Sequence, residues 1–150
     1  MKTYPVPNIK RHAAPRAAVG AVVIHGGRIL LIKRKYPPKK GKWAIPGGSV
    51  NLGESLQAAA EREIMEETGL TIEAKKPLHT FDLIERDSKG KILFHFVIVD
   101  LLAEYISGTP SPADDVSEAR WFGPDEIDGL DITNDTKKLL HKMGFLSGSS

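Results

Sequence analysis

Residues Gly48 to Leu70, GSVNLGESLQAAAEREIMEETGL, gather five carboxylates, Glu54, Glu61, Glu63, Glu66 and Glu67, into one short segment. Glu63, Glu66 and Glu67 stand at i, i+3 and i+4, so a helix projects them from one face. Like charges at that spacing repel unless something positive lies among them. A hard divalent cation takes oxygen ligands of this kind. The chemistry that follows is metal-carboxylate chemistry on a phosphate.

The spacing predicts a helix from about Ser55 to Thr68. With Leu56 at zero on a wheel of about 100° per residue, Ala59, Ala60 and Ile64 form the stripe that meets a sheet. Glu67 falls at about 20°, Glu63 at about 340° and Glu66 at about 280°, along that stripe or at its edge. Gln57, Ala58, Glu61 and Met65 make the outward face. A charge run is usually a solvated face, but here the wheel argues otherwise. Ionised carboxylates buried without partners are costly, so these must pair or coordinate a metal. Arg62 is the one cation inside the segment. It could pair with Glu54 or Glu66 and hold the preceding loop, and its spacing suits a solvated surface arginine equally well. Gly47, Gly48 and Gly53 permit a tight loop that brings backbone carbonyls toward a metal. No Gly-Lys-Ser/Thr follows, so the loop is not a P-loop.

Such a helix needs a sheet to seat it, and the flanking sequence supplies strands. Val19 to Ile24 and Ile29 to Ile32 flank Gly26-Gly27, a two-residue hairpin turn that needs positive φ. YPPKKGKW reads as an exposed loop. WAIPGGSV reads as a short strand entering a Pro-Gly-Gly turn. Gly69 is the expected helix stop. Pro77 to Arg86 and Lys91 to Tyr105 are strand-like around the turn Asp87-Ser88-Lys89-Gly90. ILFHFVIVDLL is too apolar for an edge and belongs centrally. GTPSPADDVSE is a flexible acidic loop, ARWFG a short strand, and Pro124 opens a helical turn. Asn134 can cap a last helix through about Lys142, stopped by Gly144. The order of elements predicts an α/β (α+β) domain around a mixed sheet over 17–144. An extended leader is expected over 1–16 and a disordered tail over 145–150.

Composition bounds the function. The chain has 150 residues, 41% hydrophobic and 27% charged, with a net charge of +2 and no cysteine. That length suits one domain. The small charge argues against nucleic acid and anionic membrane as partners, and the lack of cysteine excludes disulfides and thiolate metal sites. No apolar run approaches the roughly 20 residues of a membrane span. The start, MKTYPVPNIKRHAAPR, has no apolar core of a signal peptide, so a cytoplasmic location is the expectation.

Gly48, then Glu54, then Arg62-Glu63-Ile64-x-Glu66-Glu67-x-Gly69-Leu70 resembles the Nudix box at every fixed position, nine over 23 residues. ILLIKR and GKWAIPGG before it and EARWF after it extend the resemblance over most of residues 17 to 127. The resemblance implies an α/β/α sandwich around a mixed sheet. It also implies a hydrolase using Mg2+ or Mn2+ to cleave a nucleoside diphosphate linked to another moiety. By it Glu63, Glu66, Glu67 and the Gly48 carbonyl are metal ligands, Arg62 orients the glutamates, and Glu54 braces the loop. The mechanism the resemblance implies is water attack on phosphorus, with metal activating the water and neutralising developing charge.

WAIPGG, HFVIVDLLAEY and DDVSEARWF are most similar to the ADP-ribose pyrophosphatase group, which implies ADP-ribose cleaved to AMP and ribose 5-phosphate. A nucleoside triphosphate or nucleotide-sugar pyrophosphohydrolase is the alternative. A non-catalytic Nudix-fold binding module is a further one, though every ligand position of the box is filled. A role on RNA ends would call for a longer basic surface. The general base is Glu63 itself or a glutamate from a later loop, with Glu118 ahead of Glu104 and Glu85. Residues Lys33, Arg34, Lys35, Lys39, Lys40 and Lys42 place six cations within ten positions. They form either a solvated face or a surface that steers an anionic substrate, with Arg34 the substrate-binding candidate. Trp43 and Phe81 suit either core packing or adenine stacking. His25, His79 and His95 lack metal-ligand spacing. A small-molecule nucleotide is the expected partner, with a homodimer possible.

Overall fold

The computed structural model describes residues 14–36 and 39–146. Strands β1 (Arg16–His25) and β2 (Arg28–Arg34) form a hairpin. Its turn residues Gly26 and Gly27 have φ of 59° and 76°, the left-handed pair that matches strand twist. Two short strands follow, β3 (Trp43–Ala44) and β4 (Gly47–Ser49), and then helix α1 (Leu56–Thr68). The long strands β5 (Thr71–Arg86) and β6 (Ile92–Ser107), strand β7 (Val116–Phe122), and helices α2 (Pro124–Ile127) and α3 (Asn134–Lys142) complete the order.

The sheet runs β3-β2-β1-β6-β5, with β4 added to β1 and β7 to β2. β1 and β6 are parallel, from Arg16 beside Phe96 to Val23 beside Ala103. The other pairings are antiparallel, so the sheet is mixed. β6 lies between β1 and β5, the central place its apolar run predicts.

Both faces of the sheet are covered. Val19, Ala21 and Val23 of β1 pack with Ala59, Ala60 and Ile64 of α1. Val22 points the other way, into a layer with Ile127, Leu139 and Leu140 of α2 and α3. This alternation makes the α/β/α sandwich. The N-cap Ser55 Oγ accepts from Ala58 N at 3.0 Å, and Gly69 ends α1 with φ 76°.

Four local features differ from the expectations. Gly47 and Gly48 form strand β4 rather than a turn, paired with Gly20 and Val19. Glycine is needed there for closeness: a Cβ on Gly47 would overlap the Val19 carbonyl. Glu61 and Gln57 do not simply face water. Glu61 Oε2 accepts from Ala74 N at 2.9 Å and Gln57 donates to Lys75 O at 3.2 Å, so both satisfy backbone groups of edge strand β5. The cap of α3 is Thr133, whose Oγ1 accepts from Thr136 N, and Asn134 is already helical. Phe145 and Leu146 pack against the α3 layer. The leader expected over 1–16 falls outside the described residues up to 13, and Arg16 already belongs to β1.

Ile64 is fully buried under the sheet. Ile64→Ala is expected to cost about 2–5 kcal/mol of stability, read from a urea titration.

Candidate active site

Arg62 lies at the centre of the site. Its Nε donates to Glu54 Oε2 at 2.7 Å and its Nη2 to Glu54 Oε1 at 3.0 Å, a two-pronged pair. Nη2 also donates to Ser49 O at 2.9 Å, and Nη1 donates to Glu63 Oε2 at 3.0 Å and Glu66 Oε1 at 3.2 Å. Glu54 further accepts from Asn51 N at 2.9 Å. Loop, strand β4 and helix are thus joined through one guanidinium. Arg62's hydrogen bond leads the effects that hold Glu54 below its ordinary value.

Glu63 is 0% exposed and Glu67 2% exposed. Burial pushes Glu63 from 4.5 up to about 7 against the pull of Arg62, with Glu66 and Asp115 adding to the rise. Burial also raises Glu67 well above its ordinary value, reinforced by Glu63 and Asp115. Gly47 N donates to Glu67 Oε1 at 3.1 Å, and with Arg34 it opposes the rise. Gly48 lies against the Glu63 carboxylate, where any Cβ would overlap it.

These residues fit a divalent cation. Glu63 Oε1 is buried with no hydrogen-bond partner among the described residues. It sits in a group of acids whose mutual repulsion a cation would relieve. No three acidic or histidine side chains among the described residues converge as a finished cage. Arg62 draws one oxygen each of Glu63 and Glu66, so a cation held there would share these carboxylates with Arg62.

A cleft opens from Gly47 and Glu67 along the β5–β6 hairpin. Phe81, Phe94 and Ile98 form its apolar wall, Arg34 and Lys39 line it, and Asp100 lies within it. Lys39 holds φ 65°, a conformation that side-chain-bearing residues seldom adopt.

The structure brings Glu54, Arg62, Glu63 and Glu66 together, with Gly48 against Glu63 and Glu67 on Gly47. Glu118 stands within β7 rather than at the end of a flexible loop. It pairs with Lys33, Nζ to Oε2 at 3.5 Å. The preceding loop is anchored: Ser111 N and Ala113 N donate to the Thr68 and Glu67 carbonyls at 2.9 and 3.1 Å. Those carbonyls end α1 and need donors. The basic run divides its work, since Lys42 pairs with Asp131 at 2.8 Å while Arg34 and Lys39 face the cleft. Trp43 is core, edge-on to Phe122 with centroids 4.9 Å apart, whereas Phe81 lines the cleft. His95 meets Asp82 at 3.3 Å. Sequence reasoning missed Asp115 and Asp100. Their only signal is an acid beside or inside an apolar strand run, DDVSEARWF and FVIVDLL.

With its carboxylate helix seated on a mixed sheet and its residues 14–143 matched by the model of the NUDIX domain, the chain belongs to the NUDIX family. It is 39% identical over 108 residues to a protein of Methanocaldococcus jannaschii named ADP-ribose pyrophosphatase, covering 72% of this chain and 62% of that protein. It is 34% identical over 113 residues to an oxidized purine nucleoside triphosphate hydrolase of Danio rerio, covering 71% of this chain and 65% of that one. The chain therefore spans less than two thirds of these relatives' length. Among solved structures, a MutT NUDIX hydrolase from Burkholderia pseudomallei superposes with a TM-score of 0.74 at 35% identity, covering 86% of this chain and 98% of that one.

Because burial raises Glu63, the metal-free fold favours its protonated form. That stabilisation is complete below about 4.5 and is lost as pH rises through about 7. In EDTA, Glu63 is expected to contribute a fall in stability on the order of 3 kcal/mol between pH 5 and pH 8. Glu63→Gln should reduce the slope of stability against pH in urea titrations, with Glu67 and Asp100 accounting for what remains, and an unchanged slope would contradict the assignment.

Proposed function

We propose that the protein is a metal-dependent pyrophosphohydrolase acting on a nucleoside diphosphate linked to another moiety. The favoured substrate is ADP-ribose, cleaved to AMP and ribose 5-phosphate. One observation carries this reading: buried Glu67 stands at the mouth of an aromatic-walled cleft that Arg34 and Lys39 also line. That arrangement accommodates a diphosphate beside the carboxylates and an organic group along the apolar wall. The ADP-ribose pyrophosphatase relative supports the choice of substrate.

Glu63, Glu66, Glu67 and the Gly48 carbonyl would hold Mg2+ or Mn2+. When bound, the ion supplies Lewis-acid stabilisation of phosphoryl oxygens and makes water more acidic. Arg62 positions Glu63 and Glu66, and Glu54 fixes Arg62. Arg34 receives a phosphate oxygen. Glu63 and Glu66 are the catalytic carboxylates of the helix. Glu118, held by Lys33 on β7, is the candidate base from outside it. A nucleoside triphosphate pyrophosphohydrolase is the second reading, favoured by the likeness to the oxidized purine nucleoside triphosphate hydrolase.

A panel of ADP-ribose, nucleotide sugars and nucleoside triphosphates with Mg2+ or Mn2+ separates the readings, with highest kcat/KM expected for ADP-ribose. No turnover of any of them would instead favour a binding module. Glu67→Gln can keep the bond to Gly47 N yet removes a ligand charge, and kcat should drop at least about a hundredfold. Glu118→Gln should lower kcat about a hundredfold or more with KM little changed. Near-wild-type kcat would remove Glu118 as the base.

A further inference from the structure

Lys39 lines the cleft in a backbone conformation that its own turn does not require. Lys39 O accepts from Lys42 N at 3.1 Å and Gly41 has φ 82°, so Lys39 to Lys42 form a β-turn with glycine in its third place. Such a turn fixes φ at its two central residues and leaves the first unconstrained. Lys39 is the first, yet it holds φ 65°. Among the described residues only Asp114 shares a positive φ without being glycine. Aspartate tolerates that region through its short polar side chain, and lysine has no such help. The loop is also tied down, because Gly41 N donates to Arg34 O at 2.8 Å and Arg34 N to Lys42 O at 2.9 Å. A strained residue that its surroundings hold in place points to function.

Most other cations of the basic run have groups of their own to meet. Lys33 pairs with Glu118, Lys42 pairs with Asp131, and Lys35 lies over the Tyr36 ring at 5.8 Å. Arg34 acts on Glu67, whose charged form it favours. Lys39 and Lys40 make no side-chain hydrogen bond, ion pair or ring contact among the described residues, and of these two only Lys39 lines the cleft. Glu85, Asp100 and Asp135 line it too, and none of them pairs with Lys39. An ammonium kept unpaired beside Arg34 suits an anion that enters and leaves. In the proposed site Arg34 receives one phosphate oxygen, and a diphosphate brings a second phosphate with a charge of its own to be met.

We propose that Lys39 is a second phosphate-binding residue of the cleft, held at positive φ so that its ammonium meets the diphosphate. The inference rests on the reading of the cleft as a nucleoside diphosphate site. The methylene-bridged analogue of ADP carries the diphosphate and resists cleavage, so its binding to the full chain in Mg2+ can be measured by calorimetry without turnover.

Lys39→Gln should weaken binding of the analogue about fivefold or more. Lys40→Gln removes the same charge one residue away and should leave the affinity within about twofold of wild type. Raising the salt concentration should narrow the gap between wild type and Lys39→Gln. Lys39→Gly should bind as weakly as Lys39→Gln yet melt at or above the wild-type temperature, since glycine takes positive φ without strain. Equal weakening by Lys39→Gln and Lys40→Gln would reveal only a diffuse field and overturns the inference. Wild-type affinity in Lys39→Gln, or a Lys39→Gly protein that melts below wild type, overturns it as well. Each of these leaves the nucleotide reading standing. Failure of wild type to bind the analogue overturns both.

Discussion

The site depends on one guanidinium. A buried carboxylate cluster is unstable by itself, and Arg62 is the cation that the chain places within it. Its Nε and both Nη atoms reach Glu54, Glu63, Glu66 and the Ser49 carbonyl. Only a planar fork can serve partners arranged around it in this way. A lysine would offer a single point of attachment. Glu54, the hydrogen-bond partner that raises Arg62 most, belongs to the loop before the helix, so loop and helix are set by the same contact. Without Arg62, Glu63 would be buried beside acids with no counter-charge.

That contact works only because the backbone approaches closely. Val19 and Gly20 lie against Gly48 and Gly47, and Gly48 lies against the Glu63 carboxylate. Ala59 and Ala60 let α1 sit low on the sheet, and the same approach lets Gly47 N reach Glu67 at 3.1 Å. Small residues on strand and helix thus produce the short distances on which the chemistry relies. The C-terminal end of α1 continues the pattern, since its carbonyls hold the loop leading to Asp115. Asp115 then adds its charge to Glu63 and Glu67.

Much of this was legible in the sequence wherever local rules decide the outcome. Gly26-Gly27, Ser55 and Gly69 lie where turn and cap chemistry puts them, and the wheel found the buried side of Glu63 and Glu67 because 3.6-residue periodicity is a local property. Long-range contacts were less legible. Gly47-Gly48 reads as a turn from composition, but a strand that must lie against another backbone needs the same residue. Glu61 reads as outward, but a wheel holds no information about the edge of β5. The prolines and aspartates of GTPSPADDVSE suggest mobility, yet the ends of α1 hold that loop through backbone bonds no side chain announces. Asp100 has only the oddity of an acid within an apolar strand, and the room for it is left by Gly20, eighty positions earlier in the chain.

Burial acts alike on the acids of the cleft, and their neighbours decide what each becomes. Glu63 and Glu67 are raised by desolvation, but Arg62, Arg34 and the Gly47 N–H all favour their charged forms. A cation added there would work in the same direction, so this end of the cleft is poised to ionise. Asp100 undergoes the same desolvation with only another acid, Asp135, among the causes of its shift. Neither of those causes favours the charged form. One physical effect, modified by which groups lie nearby, therefore leaves Glu63 and Glu67 beside groups that favour their charged forms, while the causes of the Asp100 shift include none that does.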